Sequence, residues 1–118
     1  MFSGEVNATG FFTPSARWLK TDIRPLDNPL DTIMNLQGVR FHWQETGAPS
    51  LGFIAGDVTS IVLEAVSPRP SGEAFGLDCG RLTVFLVEGL RQQQREIDAI
   101  QQDCDRLAAR LEKELKKR

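Results

Sequence analysis

The sequence has no long apolar run, no basic leader and little net charge, and each absence narrows the range of functions. No stretch approaches the roughly 20 apolar residues that cross a bilayer as a helix, so we expect no membrane span. The beginning of the chain lacks the basic start and apolar centre of a secretory signal. A net charge of −2 gives no electrostatic reason to expect nucleic acid or an anionic membrane as a partner.

Cysteine and histidine are also scarce, with two cysteines and one histidine in the chain. Cys79 and Cys104 form no C-x-x-C pair and have no histidine nearby, so we expect reduced thiols in an intracellular product. His42 lies in an alternating segment, which favours a solvent-facing position on a strand. The acidic residues between positions 22 and 31 are spread through the cap region of a helix. We therefore expect neither a metal site nor a cofactor.

The last third of the chain carries the clearest pattern. From about residue 80 onward it has no proline and one interior glycine, Gly89. Apolar residues recur there at spacings of three and four, which is the a/d pattern of a heptad repeat. The a positions are Leu90, Ile97, Cys104 and Leu111, and the d positions are Leu86, Gln93, Ile100 and Leu107.

A helix of nearly 40 residues is roughly 58 Å long, more than a domain of about 80 residues can bury. Its far end must project, so the apolar seam predicts partners from other copies of the chain. Gln93 at a core position is typical of a residue that sets the register of a coiled coil. The alternative is an amphipathic helix that packs only on its own domain, which residues 80–92 favour and residues 93–118 do not.

The residues before the helix predict a compact mixed unit. Asp27 or Asn28 can cap a short helix in which Pro29 suits the first turn. The fold class is therefore α+β: short helices and a small antiparallel sheet, then the long helix. The predicted elements are a helix at 27–38, strands at 39–45 and 51–58, a short helix toward residue 66, a loop at 67–72 and a strand at 74–78. The side chains expected to be buried are Leu30, Ile33, Phe41, Trp43, Phe53, Ile54 and Leu86.

The segment TPSARWLKTDI, residues 13–23, holds Ser15 and Lys20 five positions apart. A serine hydroxyl needs an adjacent base to act as a nucleophile. A lysine can be that base only when it is neutral, and burial or a nearby cation favours the neutral form. A turn between the two residues must bring their side chains together, and Trp18 and Leu19 would supply apolar cover. The spacing alone leaves a catalytic dyad and two ordinary surface residues both open.

Three stretches of this chain together resemble a known family: SARWLKTDIRPL, GVRFHW and GFIA. With the helix CGRLTVFLVEGLRQQQREI after them, they resemble the intramolecular chaperone auto-processing domain, or S74 peptidase type. That domain lies at the C-terminus of bacteriophage tail spikes, tail fibres and endosialidases. The resemblance runs from about Ser15 to Gln94. It implies a homotrimer that helps an upstream β-rich shaft to fold in the host bacterial cytoplasm during virion assembly, and then cuts itself off.

The resemblance also implies residue roles. Ser15 falls on the nucleophile of the family and Lys20 on its general base, which makes the chain a serine peptidase with one turnover in cis. Cleavage is implied between Pro14 and Ser15. Its partners would be its own copies and the upstream shaft or another phage tail protein. The implied division of the chain is a shaft end or linker at 1–14, a chaperone core at 15–85 and a coiled-coil helix at 86–118.

The sequence departs from the family pattern beside the nucleophile, because Ala16 stands where an aspartate usually follows the serine. Gly56 and Cys79 are further departures. Three hypotheses remain. The first is a self-cleaving trimeric chaperone. The second is a non-cleaving trimeric cap, or structural protein of the virion tail, with the same fold. The third is a coiled-coil adaptor in which the serine and lysine are accidental neighbours.

Overall fold

A long C-terminal helix dominates the computed structural model, which describes residues 6–117. The fold is α+β, as predicted, but it has two small antiparallel sheets where one was expected. The chain extends over 76 × 42 × 32 Å, and the long dimension reflects the helix. In chain order the elements are a 3₁₀ turn at Arg17–Leu19, α1 at Pro29–Asn35, β1 at Val39–His42, β2 at Pro49–Gly52, α2 at Ala55–Thr59, a 3₁₀ turn at Leu63–Ala65, β3 at Val66–Pro68, β4 at Ala74–Leu77 and α3 at Cys79–Lys116.

The helix α3 confirms the prediction from the heptad spacing. It runs for 38 residues without a break. Leu82 and Gly89, near its beginning, are buried against the small unit. Every residue from 93 to 117 is exposed in the single chain, so this part of the helix projects. Within residues 6–117, no helix is long and apolar enough to cross a membrane.

The first hairpin pairs β1 with β2, and its register places Val39 opposite Gly52. The strand predicted at 51–58 is therefore wrong in its bounds, since β2 begins at Pro49 and ends at Gly52. The cause is a tight turn in which the Gly47 N–H donates to the Trp43 carbonyl over 2.7 Å. Gly47 has a φ of 72°, which glycine adopts at little cost. Residues from Ala55 onward form α2 instead.

The second hairpin pairs β3 with β4 where a loop was predicted at 67–72. That prediction was wrong for the first residues of the segment, because proline and serine are typical of loops although here they lie in a strand. Pro68 lies at the end of β3, where the missing N–H costs little. Beyond it, the Arg69 N–H donates to the Glu73 carbonyl over 2.8 Å and closes the turn.

The core lies among α2, the second hairpin and the base of α3. Among residues 6–117 it has four buried side chains, and the predicted core is wrong in part: Trp43, Ile54 and Leu86 are exposed in the single chain. Leu30, Ile33, Phe41 and Phe53 are half-buried. For Trp43 the reason is physical, because it directly follows β1 and a two-stranded hairpin has two faces of which it covers only one. Ile54 directly precedes α2 and Leu86 lies on α3, so the hairpin does not account for their exposure. The buried core residues are Val58, Val62, Ala65 and Leu82.

Candidate active site

A 3₁₀ turn brings the two candidate catalytic side chains into contact. The turn spans Arg17–Leu19, and the Lys20 N–H closes it on the Arg17 carbonyl over 3.0 Å. It lies where the sequence requires a bend between Ser15 and Lys20. Lys20 Nζ donates a hydrogen bond to Ser15 Oγ over 2.8 Å. The two groups are therefore within direct proton-transfer distance of each other.

The apolar cover expected over this pair is missing in the single chain. Trp18 is 84% exposed and Leu19 is 53% exposed. Ser15 and Lys20 are themselves exposed. Solvent therefore reaches both groups of the 2.8 Å contact. The single chain thus has the contact that a dyad needs without the desolvation that a lysine base needs.

The segment that carries the pair is attached to the rest of the fold through its C-terminal end. From residue 6 to residue 28, all side chains except Leu26 are exposed. Asp22 and Asn28 are non-glycine residues with positive φ, at 54° and 45°. Asp22 forms an exposed ion pair of 3.0 Å with Arg24, two residues further along the chain. The position of the pair therefore depends on where α1 begins, directly after Asn28.

The helix α1 is docked closely on α3, a contact that the sequence patterns did not predict. A Cβ atom added at Gly89 would lie 2.2 Å from Ile33 Cδ1 and 3.9 Å from Leu30 Cα, so the glycine permits the approach. The Leu30 N–H also donates to Gln92 Oε1 over 3.1 Å. The one available signal was the lone interior glycine of a long helix, and nothing in the sequence identified its neighbour.

The remaining sequence candidates lie apart from the pair. His42 is exposed on β1, which confirms the expected solvent-facing position. Cys79 and Cys104 are free and exposed. Among residues 6–117, no group of three or more His, Cys, Asp or Glu side chains could hold a metal ion. A shallow cavity of about 310 Å³ lies between α1 and α2, and it includes neither Ser15 nor Lys20 in its lining.

The segment that carries Ser15 and Lys20 is similar to a known protein family. Residues 15–67 match the peptidase S74 family, which is described as a chaperone of endosialidase. The match begins at Ser15 and ends in β3, so it holds the candidate pair, α1, the first hairpin and α2. No curated protein matches the chain significantly.

The S74 match supports a chaperone-type function in the setting of phage tail proteins. The peptidase name of the family accords with the contact between Ser15 and Lys20, whose catalytic roles stay predictions. The S74 match stops before α3, whereas the resemblance in the sequence continued to about Gln94. The third hypothesis, a coiled-coil adaptor, required the S74-like stretches to be chance, and the family match removes that basis.

The predicted coiled-coil residues form a second candidate surface. All eight lie on α3 and all are exposed in the single chain. Four of these eight are large apolar side chains beyond residue 93, and they are between 51% and 63% exposed. Exposed leucine and isoleucine at a and d positions over four turns or more are typical of a helix that associates with other helices. These four side chains are Ile97, Ile100, Leu107 and Leu111.

Proposed function

We propose that the chain is a C-terminal intramolecular chaperone that trimerises through α3, assists the folding of an upstream β-rich shaft of a phage tail fibre or spike, and releases itself next to Ser15. One observation carries the proposal: Lys20 Nζ lies 2.8 Å from Ser15 Oγ, at the first residue of the S74 match. Residues 1–14 would be the end of the shaft or a linker. Residues 15–85 would be the chaperone core, and residues 86–118 the coiled-coil segment of α3.

The proposed reaction is a single self-cleavage. Neutral Lys20 takes the proton of the Ser15 hydroxyl, and Ser15 Oγ attacks the carbonyl carbon of Pro14. The bond from that carbon to the Ser15 nitrogen breaks, and the nitrogen receives the proton from Lys20 as it becomes a free amine. Water then hydrolyses the ester, which leaves a carboxylate on Pro14 and restores the Ser15 hydroxyl. No cofactor or metal ion enters this sequence of steps.

Assembly would precede cleavage for an electrostatic reason. Lys20 is exposed in the single chain, whereas a lysine that acts as a base needs an environment without water. Trp18 is almost fully exposed beside it and would be covered when three copies meet. Covering this segment would remove water from Lys20 and favour the neutral form. A dyad that becomes active on trimerisation cuts only after the shaft chains have been brought into register.

The proposed trimer is parallel, with α3 from each copy in one coiled coil. In this arrangement the three Gln93 side chains lie at one level and can bond to one another. The seam above and below that level is apolar, with Leu90 before it and Ile97 after it. The partners of the chain are thus its own copies and the upstream shaft or tail protein. The site of action would be the host cytoplasm during virion assembly.

A second candidate function is a permanent trimeric cap of a virion tail protein that does not cut. Two observations favour it. Ala16 has no carboxylate beside the nucleophile, and Lys20 lies in solvent in the single chain. In that case the chain would remain in the virion tail. The serine and lysine would then be retained surface residues with no chemical role.

A fusion experiment tests the proposal against this alternative. Residues 1–118 are placed after a folded reporter, and the intact mass of the purified protein is followed over hours. We expect release of a fragment that begins at Ser15, no release from Ser15→Ala, and a rate at least about 100-fold lower for Lys20→Ala. Thr21→Ala removes another exposed hydroxyl next to Lys20 and should cut at the parent rate.

Two outcomes contradict the proposal in different ways. A parent fusion that forms trimers and stays intact rejects cleavage and supports the permanent cap. Equal cutting by the parent and Lys20→Ala rejects the dyad while cleavage itself stands.

A further inference from the structure

The N-terminus of α1 takes one of its hydrogen-bond acceptors from α3. The first N–H groups of a helix have no partner inside the helix. Pro29, the first residue of α1, has no N–H, and the Thr32 N–H bonds to the Asn28 carbonyl over 3.2 Å. The Leu30 N–H, between them, donates to Gln92 Oε1 over 3.1 Å. In the described part of the chain, Asn28 offers no side-chain cap, so Gln92 takes the place of that cap.

Several contacts of α3 hold Gln92 in position for this bond. Its Nε2 donates to Glu96 Oε1 over 3.2 Å, one turn further along the helix. Gly89, one turn earlier, has no side chain, and this lets α1 approach the helix backbone. Gln92 is half-buried, whereas its neighbours Gln93 and Gln94 are exposed. The Gln92 amide is therefore oriented by α3 before it meets α1.

The start of α1 determines the direction in which the segment with Ser15 and Lys20 leaves the core. Asn28 directly precedes the helix and has a φ of 45° and a ψ of 56°. A left-handed conformation costs a non-glycine residue about 1–2 kcal/mol. Surrounding contacts must hold it, and the bonds that Leu30 and Thr32 make at this end of α1 meet that need. Because residues 6–25 are exposed, half-buried Leu26 and the start of α1 are the first points after the pair at which the chain packs on the rest of the fold.

We propose that Gln92 is a positioning residue for self-cleavage. Its amide oxygen fixes the start of α1 on the stalk helix, and through Asn28 it sets where Ser15 and Lys20 lie relative to the trimer axis. The inference rests on the proposed self-cleavage and adds a residue to it that lies outside the S74 match, which ends at residue 67. Gln92 touches neither the scissile bond nor the dyad, so its effect is indirect.

The test compares three variants in the reporter fusion at a temperature well below their melting transitions. Gln92→Ala removes the acceptor. Gln92→Glu combined with Glu96→Gln keeps an acceptor at the same reach, moves the amide donor of the bond between these two residues to position 96, and avoids two like charges one turn apart. Gln94→Ala is the matched control, because Gln94 donates to Asp98 on its own helix in the same way over 2.9 Å. Native mass spectrometry measures the trimer fraction of each fusion, and denaturing gels measure its cleavage rate.

We expect Gln92→Ala to cut about tenfold more slowly with its trimer fraction unchanged, since small displacements of reacting groups reduce rates strongly. Gln92→Glu combined with Glu96→Gln should regain most of the parent rate, and Gln94→Ala should match the parent. Equal rates for Gln92→Ala and the parent would overturn the inference and leave the proposed function intact. If the parent itself never cuts, both fail. A loss of trimer in Gln92→Ala that Gln92→Glu combined with Glu96→Gln does not repair would show a purely structural role and also overturn the inference.

The bond between Gln92 and Leu30 can also be tested on the unmodified protein, without any substitution. Residue-resolved amide hydrogen exchange compares Leu30 with Asp31, the next residue of α1. In the described part of the chain, the Asp31 N–H has no partner, whereas the Leu30 N–H bonds to Gln92. We expect slower exchange at Leu30 than at Asp31. Equal and fast exchange at both amides would show that Gln92 does not hold the helix start.

Discussion

The close approach of α1 to α3 predicts an unusual response to a mild substitution at Gly89. In a helix interior, replacing glycine by alanine normally stabilises by about 1 kcal/mol. Here the new Cβ would lie 2.2 Å from Ile33 Cδ1, which is too close for two carbon atoms. Because Cδ1 ends a flexible side chain, Ile33 can move aside at a cost of about 1–3 kcal/mol for an overpacked contact. Gly89→Ala should therefore change the free energy of unfolding by between about zero and 2 kcal/mol in the destabilising direction.

Removing the obstructing methyl group should reverse the sign of this effect. Ile33→Val deletes Cδ1 and leaves Cγ1, which would lie 3.6 Å from the new Cβ, an ordinary contact distance. In the Ile33→Val background, Gly89→Ala should stabilise by about 1 kcal/mol. Residues in contact couple by about 0.5–3 kcal/mol in such a cycle, and the expected coupling falls within that range.

The assay is urea unfolding of the four proteins at one chain concentration, because association makes apparent stability depend on concentration. The cycle needs no cleavage, so Ser15→Ala can be present in all four to keep the chain uniform. If Gly89→Ala stabilises both backgrounds by the same amount, the two helices do not pack as described here. If it destabilises both equally, the conflict lies with some group other than Ile33 Cδ1.

Two further predictions concern the core and the stalk. Leu82→Ala removes a side chain that is only 5% exposed and should lower the free energy of unfolding by about 2–5 kcal/mol. The control, Leu63→Ala, changes a residue that is 66% exposed and should lower it far less. Similar urea midpoints for the two variants would contradict the assigned core. Leu107→Asp places a charge in the proposed seam and should yield monomers by sedimentation, whereas Ala109→Asp on the outer face of α3 should stay trimeric. Monomers from both, or trimers from both, would show that the seam lies elsewhere on the helix.

The long helix could be predicted from sequence because its signal is local and repeats many times. Spacings of three and four from Leu86 to Leu111 determine a helical face without knowledge of the remaining fold. The turn between Ser15 and Lys20 followed from a chemical requirement, and the 3₁₀ turn at Arg17–Leu19 lies at that place. The S74 family was predicted from short stretches, and the match over residues 15–67 confirms it.

What could not be predicted depends on contacts between distant segments. The strand β3 was missed because its proline and serine are typical of loops, and its pairing partner β4 determines its state. Trp43 was expected inside because it is large and apolar, yet the hairpin that carries it leaves it 56% exposed. The contact of Gln92 with Leu30 joins residues 62 positions apart, and no local pattern reports it.

The central claim is that three copies assemble first and then cut next to Ser15. Native mass spectrometry of the freshly purified reporter fusion, sampled from minutes to hours, reports assembly and cleavage in the same spectrum. If assembly comes before cleavage, we expect uncut trimers at the earliest times, followed by trimers of a fragment that begins at Ser15, with no cut monomer at any time. Cut monomers before any trimer, a new N-terminus at another residue, or a chain that never associates would each contradict it.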